Sequence, residues 1–275
     1  MRPDSSRIIV CVSDHTGLTA EAFAHSLVAR FDGVDVTYDV RPFVDTVEKV
    51  DALVAEIDVL AASGERPIVF STLTDPALWV ELRRADALVL TLFEHFVEEL
   101  SEELGIAPAA PVGAYHRIRD MAAYQVRLDA VDFALQTDDG IGIHHYGSAD
   151  AILVGVSRVG KTPTCLYMSM HYGIRAANYP LTEEDFTRPG LPAPLRGYED
   201  RLYGLTIDPQ RLRHIRQKRR PDSDYSAVER CRWEVQHAEQ LFGRLGVPVI
   251  NTSALSIEEI TATIITERQL ERRVE

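Results

Sequence analysis

Ala151-Ile152-Leu153-Val154-Gly155-Val156-Ser157-Arg158-Val159-Gly160-Lys161-Thr162-Pro163 is the stretch on which the reading of this chain turns. A short apolar run reads as a buried strand, passes into G-x-x-x-x-G-K-T, and leads into a helical pattern that continues to about Tyr172. Strand, glycine loop and helix in that order suit a loop that holds phosphate. A polyphosphate concentrates negative charge in a small volume. Successive backbone N–H groups in a glycine-rich turn and a helix N-terminus surround it without side-chain bulk. Gly155 and Gly160 permit the turn, and Val156, Ser157, Arg158 and Val159 lie between them. Lys161 offers a point charge to the terminal phosphates and Thr162 a hydroxyl to a bridging Mg²⁺. Pro163 is tolerated because a first-turn N–H has no helical partner. The bland alternative, two glycines in a chance loop, is disfavoured by the flanking strand and helix patterns. Arg158 is either added charge for a transferring phosphoryl group or a surface arginine that solvates the loop.

Working outward, short β-branched runs alternate with helical patterns, the sequence form of a parallel sheet covered by helices. Strands are expected at 7–12, 34–40, 67–71 and 87–92, then at 151–154, 174–178, 201–207 and 247–251. The fold class is therefore α/β: an N-terminal doubly wound parallel-sheet lobe followed by an α/β kinase-like domain that carries the phosphate loop. An amphipathic stretch at 117–135 is read as closing the first lobe, which puts the boundary near 145 and the domains at 1–145 and 146–275. Residues 188–197, with Pro189, Pro192, Pro194 and two glycines, read as a surface loop or lid. Asp208-Pro209 opens a helix as N-cap and first-turn proline, and Ser256-Ile257-Glu258-Glu259 is a capping box.

Bulk properties narrow the function. A formal net charge of −13 opposes a nucleic-acid backbone, so no nucleic acid is expected as partner. Cys11, Cys165 and Cys231 are widely spaced, forming neither a CxxC metal pair nor an even disulfide framework, and are read as reduced core thiols. The first residues lack a signal-peptide pattern and no apolar run reaches the roughly 18 residues that span a bilayer, so the expectation is a cytoplasmic protein with no membrane association. Oligomeric state is left open, with a homodimer among the alternatives.

A phosphate loop calls for a carboxylate to hold the metal. Asp138-Asp139, in the glycine turn, are the favoured pair, for metal binding or for accepting a substrate hydroxyl's proton; a solvated turn is the competing reading. Asp208 also ends an apolar run, yet its role as cap accounts for it. The turn Ser13-Asp14-His15-Thr16-Gly17-Leu18-Thr19-Ala20-Glu21 is either a second anion site or a capping loop with Thr16 or Thr19 as N-cap. His144 and His145 lack metal-like partners and are taken as surface residues. Arg211, Arg213, Arg216, Lys218, Arg219 and Arg220 form a basic cluster that reads either as a dock for an acidic or phosphorylated partner or, more commonly, as a solvated helix face.

Several pieces together resemble the bifunctional regulatory proteins of phosphoenolpyruvate synthase and of pyruvate, phosphate dikinase. They are Ser13-Asp14 through Thr16-Gly17, Thr19-Ala20-Glu21, Asp138-Asp139-Gly140, Gly155-Val156-Ser157-Arg158, Gly160-Lys161-Thr162-Pro163, Ala176-Ala177-Asn178-Tyr179-Pro180, Gly204-Leu205-Thr206-Ile207 and Val249-Ile250-Asn251-Thr252-Ser253. The resemblance spans nearly the whole chain and looks more like the synthase branch. It implies a protein kinase that uses ADP to phosphorylate a threonine of the partner enzyme. It also implies a reverse activity, in which inorganic phosphate removes that group as pyrophosphate. Under it, Lys161 and the loop from Gly155 to Thr162 cradle the nucleotide, Thr162 meets Mg²⁺, and Asp138 or Asp139 activates the threonine. The family often carries a histidine before the Asp-Asp-Gly turn; here Thr137 stands there, so no base is assigned from that position. Two rivals share the loop: a small-molecule kinase and a nucleotide-sensing module that performs no transfer.

Overall fold

The structure is a computed structural model and describes residues 7–64, 66–107, 121–188, 190–221 and 223–274. The chain forms two compact units, Met1–Arg117 and Ile118–Glu275.

The first unit runs β1 (Arg7–Val12), α1 (Leu18–Val28), β2 (Val36–Arg41), α2 (Val47–Ala62), β3 (Ile68–Ser71), α3 (Pro76–Leu82), β4 (Leu88–Thr91) and α4 (Leu92–Leu104). Its four strands pair in parallel in the order β2-β1-β3-β4. Successive side chains of a strand face opposite ways, so β1 feeds two cores. Val10 and Val12 pack in one cluster with Val50, Leu53 and Ile57 of α2 and with Leu78 and Leu82 of α3. Ile9 and Cys11 pack in another with Ala20 and Ala24 of α1. A strand covered on both faces must be apolar throughout, which is why β1 shows no polar alternation. Neither Thr16 nor Thr19 caps α1: the N-cap position is Gly17, at φ 81, with no side-chain cap. A Cβ at Gly17 would stand 2.9 Å from Val40 Cγ1, so the turn lies close against β2.

The second unit runs α5 (Met121–Gln136), two 3₁₀ turns (Asp138–Gly140 and Ile143–Ser148), β5 (Ala151–Gly155), α6 (Lys161–Tyr172), β6 (Ala176–Pro180), α7 (Glu183–Thr187), β7 (Leu202–Thr206), α8 (Pro209–Arg219), α9 (Val228–Leu245), β8 (Val249–Asn251) and α10 (Ile257–Arg268). Its sheet is parallel, in the order β6-β5-β7-β8. Each unit thus places its first strand second in the sheet. The direction of winding reverses beside that strand, and the crevice at the carboxyl ends there is where α/β sheets receive ligands.

The division falls at 117/118 and not near 145. Residues 118–145 go with the second unit because α5 packs on α6 and β6, and the Asp138 turn packs on β6. Gly173, at φ 64, shows how close that packing is: a Cβ there would lie 2.9 Å from Val126 Cγ1 of α5. The stretch at 188–197 is less free than a lid, since Leu195 is fully buried and Leu191 packs against the same core. All three cysteines are buried and unpaired. No helix among the described residues is long and apolar enough to cross a membrane.

Candidate active site

Backbone geometry makes the turn after β5. A Cβ at Gly155 would stand 2.5 Å from Leu205 O and 2.9 Å from Val159 Cγ2, so only glycine fits where β5 passes β7. Gly160, at φ 99, turns the chain into α6, and Arg158 holds φ 79, a left-handed conformation that non-glycine residues seldom adopt. Three carbonyls of the loop are held by groups outside it. Leu181 N donates to Gly155 O at 3.0 Å, Arg216 Nη2 to Ser157 O at 3.1 Å, and Thr252 Oγ1 to Val159 O at 3.1 Å. In a planar trans peptide the N–H points opposite to the C=O. The amides of Val156, Arg158 and Gly160 therefore point away from these partners, which is how a loop is made to present donors.

Lys161 opens α6 and is buried, with its Nζ donating to Val156 O at 3.0 Å. Burial pushes its pKa down to about 8, against the opposing attraction of Asp139 and Asp138. A desolvated ammonium with one carbonyl for a partner is well placed to gain from an anion.

Thr162, next in α6, donates through Oγ1 to Asp138 Oδ1 at 2.7 Å. The same oxygen accepts Asn178 Nδ2 at 2.6 Å, while Asn178 Oδ1 accepts the Asp139 N–H at 3.1 Å. Asn178, fully buried in the middle of β6, thus holds the Asp138-Asp139 turn with both ends of its amide. Asp139 sits at φ 49 and is exposed. A hydroxyl and a carboxylate converging beside a helix N-terminus form an oxygen donor set of the kind Mg²⁺ takes, so Thr162 and Asp138 fit that ion.

The other sequence candidates separate cleanly. Asp208 is a helix cap, its Oδ1 accepting from Gln210 N at 2.9 Å and Arg211 N at 3.0 Å. His144 and His145 are exposed and lie against each other, ring centroids 4.1 Å apart. In the first unit's turn, the Asp14 carboxylate is buried and bound by Thr74 Oγ1 at 2.8 Å and His15 Nδ1 at 3.0 Å. Arg158 is exposed on the loop. The basic cluster divides: Arg211, Arg213, Lys218, Arg219 and Arg220 are exposed, whereas Arg216 is fully buried and reaches the loop. Sequence reasoning gave no individual role to Tyr225, Thr252 or Asn178, and it read Arg216 only as part of a basic cluster, a dock or a solvated helix face, whereas its side chain is fully buried. The spacing of Leu212, Ile215 and Arg216, at i, i+3 and i+4, was the available sign that Arg216 shares the inward stripe of its helix.

Comparison with known proteins gives the family. The model of the kinase/pyrophosphorylase family matches residues 9–265. A protein of Deinococcus radiodurans is 49% identical over 259 residues, which cover 94% of this chain and 94% of that one. One from Ectopseudomonas mendocina is 46% identical over 264 residues, or 96% and 97% of the two chains. One from Alkalilimnicola ehrlichii is 46% identical over 272 residues, or 98% and 99%. Each of the three is provisionally named a phosphoenolpyruvate synthase regulatory protein. With the match running from the first strand into the last helix, the chain belongs to the kinase/pyrophosphorylase family.

Proposed function

We propose that this protein transfers the β-phosphoryl group of ADP to a threonine of phosphoenolpyruvate synthase, and that the same site passes the group on to inorganic phosphate. The observation that carries the reading is the junction of Thr162, Asp138 and Asn178 at the mouth of the 155–162 loop, with Lys161 buried behind it. The relatives' names supply the partner enzyme, and pyruvate, phosphate dikinase is a second target of the same chemistry.

The loop amides and Lys161 would hold the diphosphate, and Thr162 with Asp138 would hold Mg²⁺. Bound there, that ion shares the charge on the phosphate oxygens. Asp138 Oδ1 already accepts two donors, so the base role goes to Asp139, whose carboxylate is exposed towards an incoming protein. Asp139 takes the threonine proton as the threonine oxygen bonds to the β-phosphorus. The bridging bond to the α-phosphate breaks and AMP leaves. In the second activity an oxygen of hydrogen phosphate bonds to the phosphothreonine phosphorus and gives its proton to Asp139; the P–O bond to threonine breaks, Asp139 passes that proton to the threonine oxygen, and pyrophosphate departs. The left-handed backbone of Asp139, pinned by Asn178, is the kind of local strain found at reacting groups.

The test is transfer of label from ADP carrying it at the β-phosphate, with purified phosphoenolpyruvate synthase as acceptor. The wild-type protein is expected to place label on a threonine. Lys161→Ala is expected to lower the rate on the order of 100-fold, and Asp139→Asn roughly 100- to 10,000-fold. Label on a small metabolite would instead indicate a small-molecule kinase. ADP binding without any transfer would indicate a sensor, and either result overturns the proposal.

A further inference from the structure

Arg216 is fully buried, on the same inward stripe of α8 as Leu212, while the other basic residues of that helix are exposed. Taking a guanidinium out of water is unfavourable unless nearly all its donors find partners. Arg216 Nη2 donates to Glu234 Oε2 at 2.6 Å and to Ser157 O at 3.1 Å. Its Nη1 donates to Tyr225 O at 3.2 Å, and the guanidinium carbon lies 4.2 Å from the centre of the Tyr225 ring. Its Nε has no partner, so the side chain gives up one hydrogen bond to reach these others. Tyr225 OH in turn meets Ser157 Oγ at 2.9 Å. Behind the pair, Arg230 Nε donates to Glu234 Oε1 at 2.8 Å and Arg230 Nη2 to Glu183 Oε2 at 2.9 Å, which ties the assembly to α7.

All of this converges on one residue of the loop. Ser157 is gripped by its carbonyl, through Arg216, and by its hydroxyl, through Tyr225. A helix that needed only to pack would place a second leucine where Arg216 stands, as it does at Leu212. The residue after Ser157 is Arg158, whose left-handed backbone must be held by its surroundings.

We infer that Arg216, assisted by Tyr225, is a positioning residue: by fixing the Ser157 carbonyl it sets the Arg158 N–H towards the bound phosphates. The inference rests on the phosphate-binding reading of the loop. It assigns Arg216 no contact with the ligand. Thr252, whose one hydroxyl proton lies between Val159 O and Thr206 O, each at 3.1 Å, serves the Gly160 amide in the same way through Val159 O, with no bond to Arg216. This separation makes the two amides each other's control.

The test uses the full chain with inorganic pyrophosphate and with ADP as probes. Arg216→Met/Glu234→Gln replaces the buried pair by neutral groups of similar size, an exchange that folds often tolerate. The readouts are the thermal midpoint, the dissociation constant for each probe, and the backbone amide resonances of Arg158 and Gly160 on adding pyrophosphate. The expected result is a folded protein whose dissociation constants rise on the order of tenfold or more. In it the Arg158 amide no longer responds to pyrophosphate while the Gly160 amide still does. Tyr225→Phe, which removes one hydroxyl from Ser157 and leaves every charge in place, should weaken both probes by a smaller factor in the same direction. A folded double variant with wild-type affinity and a wild-type Arg158 response overturns the inference. Should the double variant unfold, Tyr225→Phe decides, and unchanged affinity there overturns it. Wild-type protein that binds neither probe is a different outcome, because it removes the phosphate-binding reading itself and this inference with it.

Discussion

Lys161 lies 4% exposed at the start of α6, and that burial makes its charge conditional. Its ammonium is disfavoured by desolvation, which lowers the pKa from 10.5 to about 8. In the unfolded chain the lysine keeps its proton up to the ordinary value, so between about pH 8 and 10.5 the unfolded state binds more protons and this group's contribution to stability rises with pH. Ligand binding runs the other way. A diphosphate beside Nζ favours the ammonium, so binding above about pH 8 should take up a proton and weaken as pH climbs. Calorimetric titration with ADP at pH 8.5, in buffers of different ionisation heat, should show uptake of up to about three quarters of a proton that disappears in Lys161→Met. Heats independent of the buffer would show that this lysine stays charged without the ligand. Gly155, Gly160, Lys161 and Thr162 stand out from spacing because a phosphate loop's pattern is local in sequence, whereas Asp138 and Asp139 read as an undivided pair with a solvated turn as the alternative. Arg216 and Asn178 do not stand out, because their roles come from strands and helices that only the fold brings together.

At the scale of elements, caps were easier to read than ends. Asp208 and Ser256 cap α8 and α10 as their side-chain chemistry required, each accepting a backbone N–H of the first turn. Capping by a side chain is decided within four residues, so sequence carries it there; at α1, where Gly17 stands at the cap with no side-chain bond, neither Thr16 nor Thr19 serves. The strand after α6 begins two residues later than expected, at Ala176, because Gly173 ends the helix in a left-handed turn and Asp150 takes the Arg175 N–H first. The helix α5 was assigned to the wrong lobe for the converse reason: its partners, α6 and β6, lie beyond the turn that looked like a boundary. For Asp208 the two sequence readings now predict different things. If it is a cap, Asp208→Ala should destabilise the protein by about 1 kcal/mol, and Asp208→Ser should restore most of that. Urea unfolding measures both, and a serine variant no better than alanine would point to a role for the carboxylate itself.

At the scale of the molecule, two sheets share one strand order although the sequence shows no internal repeat. Strand order depends on where apolar runs and crossovers fall, and many residue choices satisfy it, so topology repeats where sequence need not. Each unit also has buried clusters of its own, and every residue assigned here to phosphate binding and transfer lies in Ile118–Glu275. That unit should therefore carry nucleotide binding by itself, and where it begins is a quantitative matter. A fragment of residues 118–275 keeps α5, Asp138 and Asp139; one of 146–275 loses α5 and both aspartates and exposes the apolar face of α6 that α5 covers. Asn178 illustrates the dependence, since the shorter fragment keeps it but removes both groups its amide holds, Asp138 Oδ1 and the Asp139 N–H. The longer fragment is expected to unfold in one cooperative transition and to bind ADP within about threefold of the full chain, a difference of under 1 kcal/mol. The shorter fragment is expected to aggregate or bind ADP at least tenfold more weakly. Calorimetric titration of ADP into both decides the matter: equal affinity in the two would return the boundary to 145 and remove Asp138 from the nucleotide's surroundings.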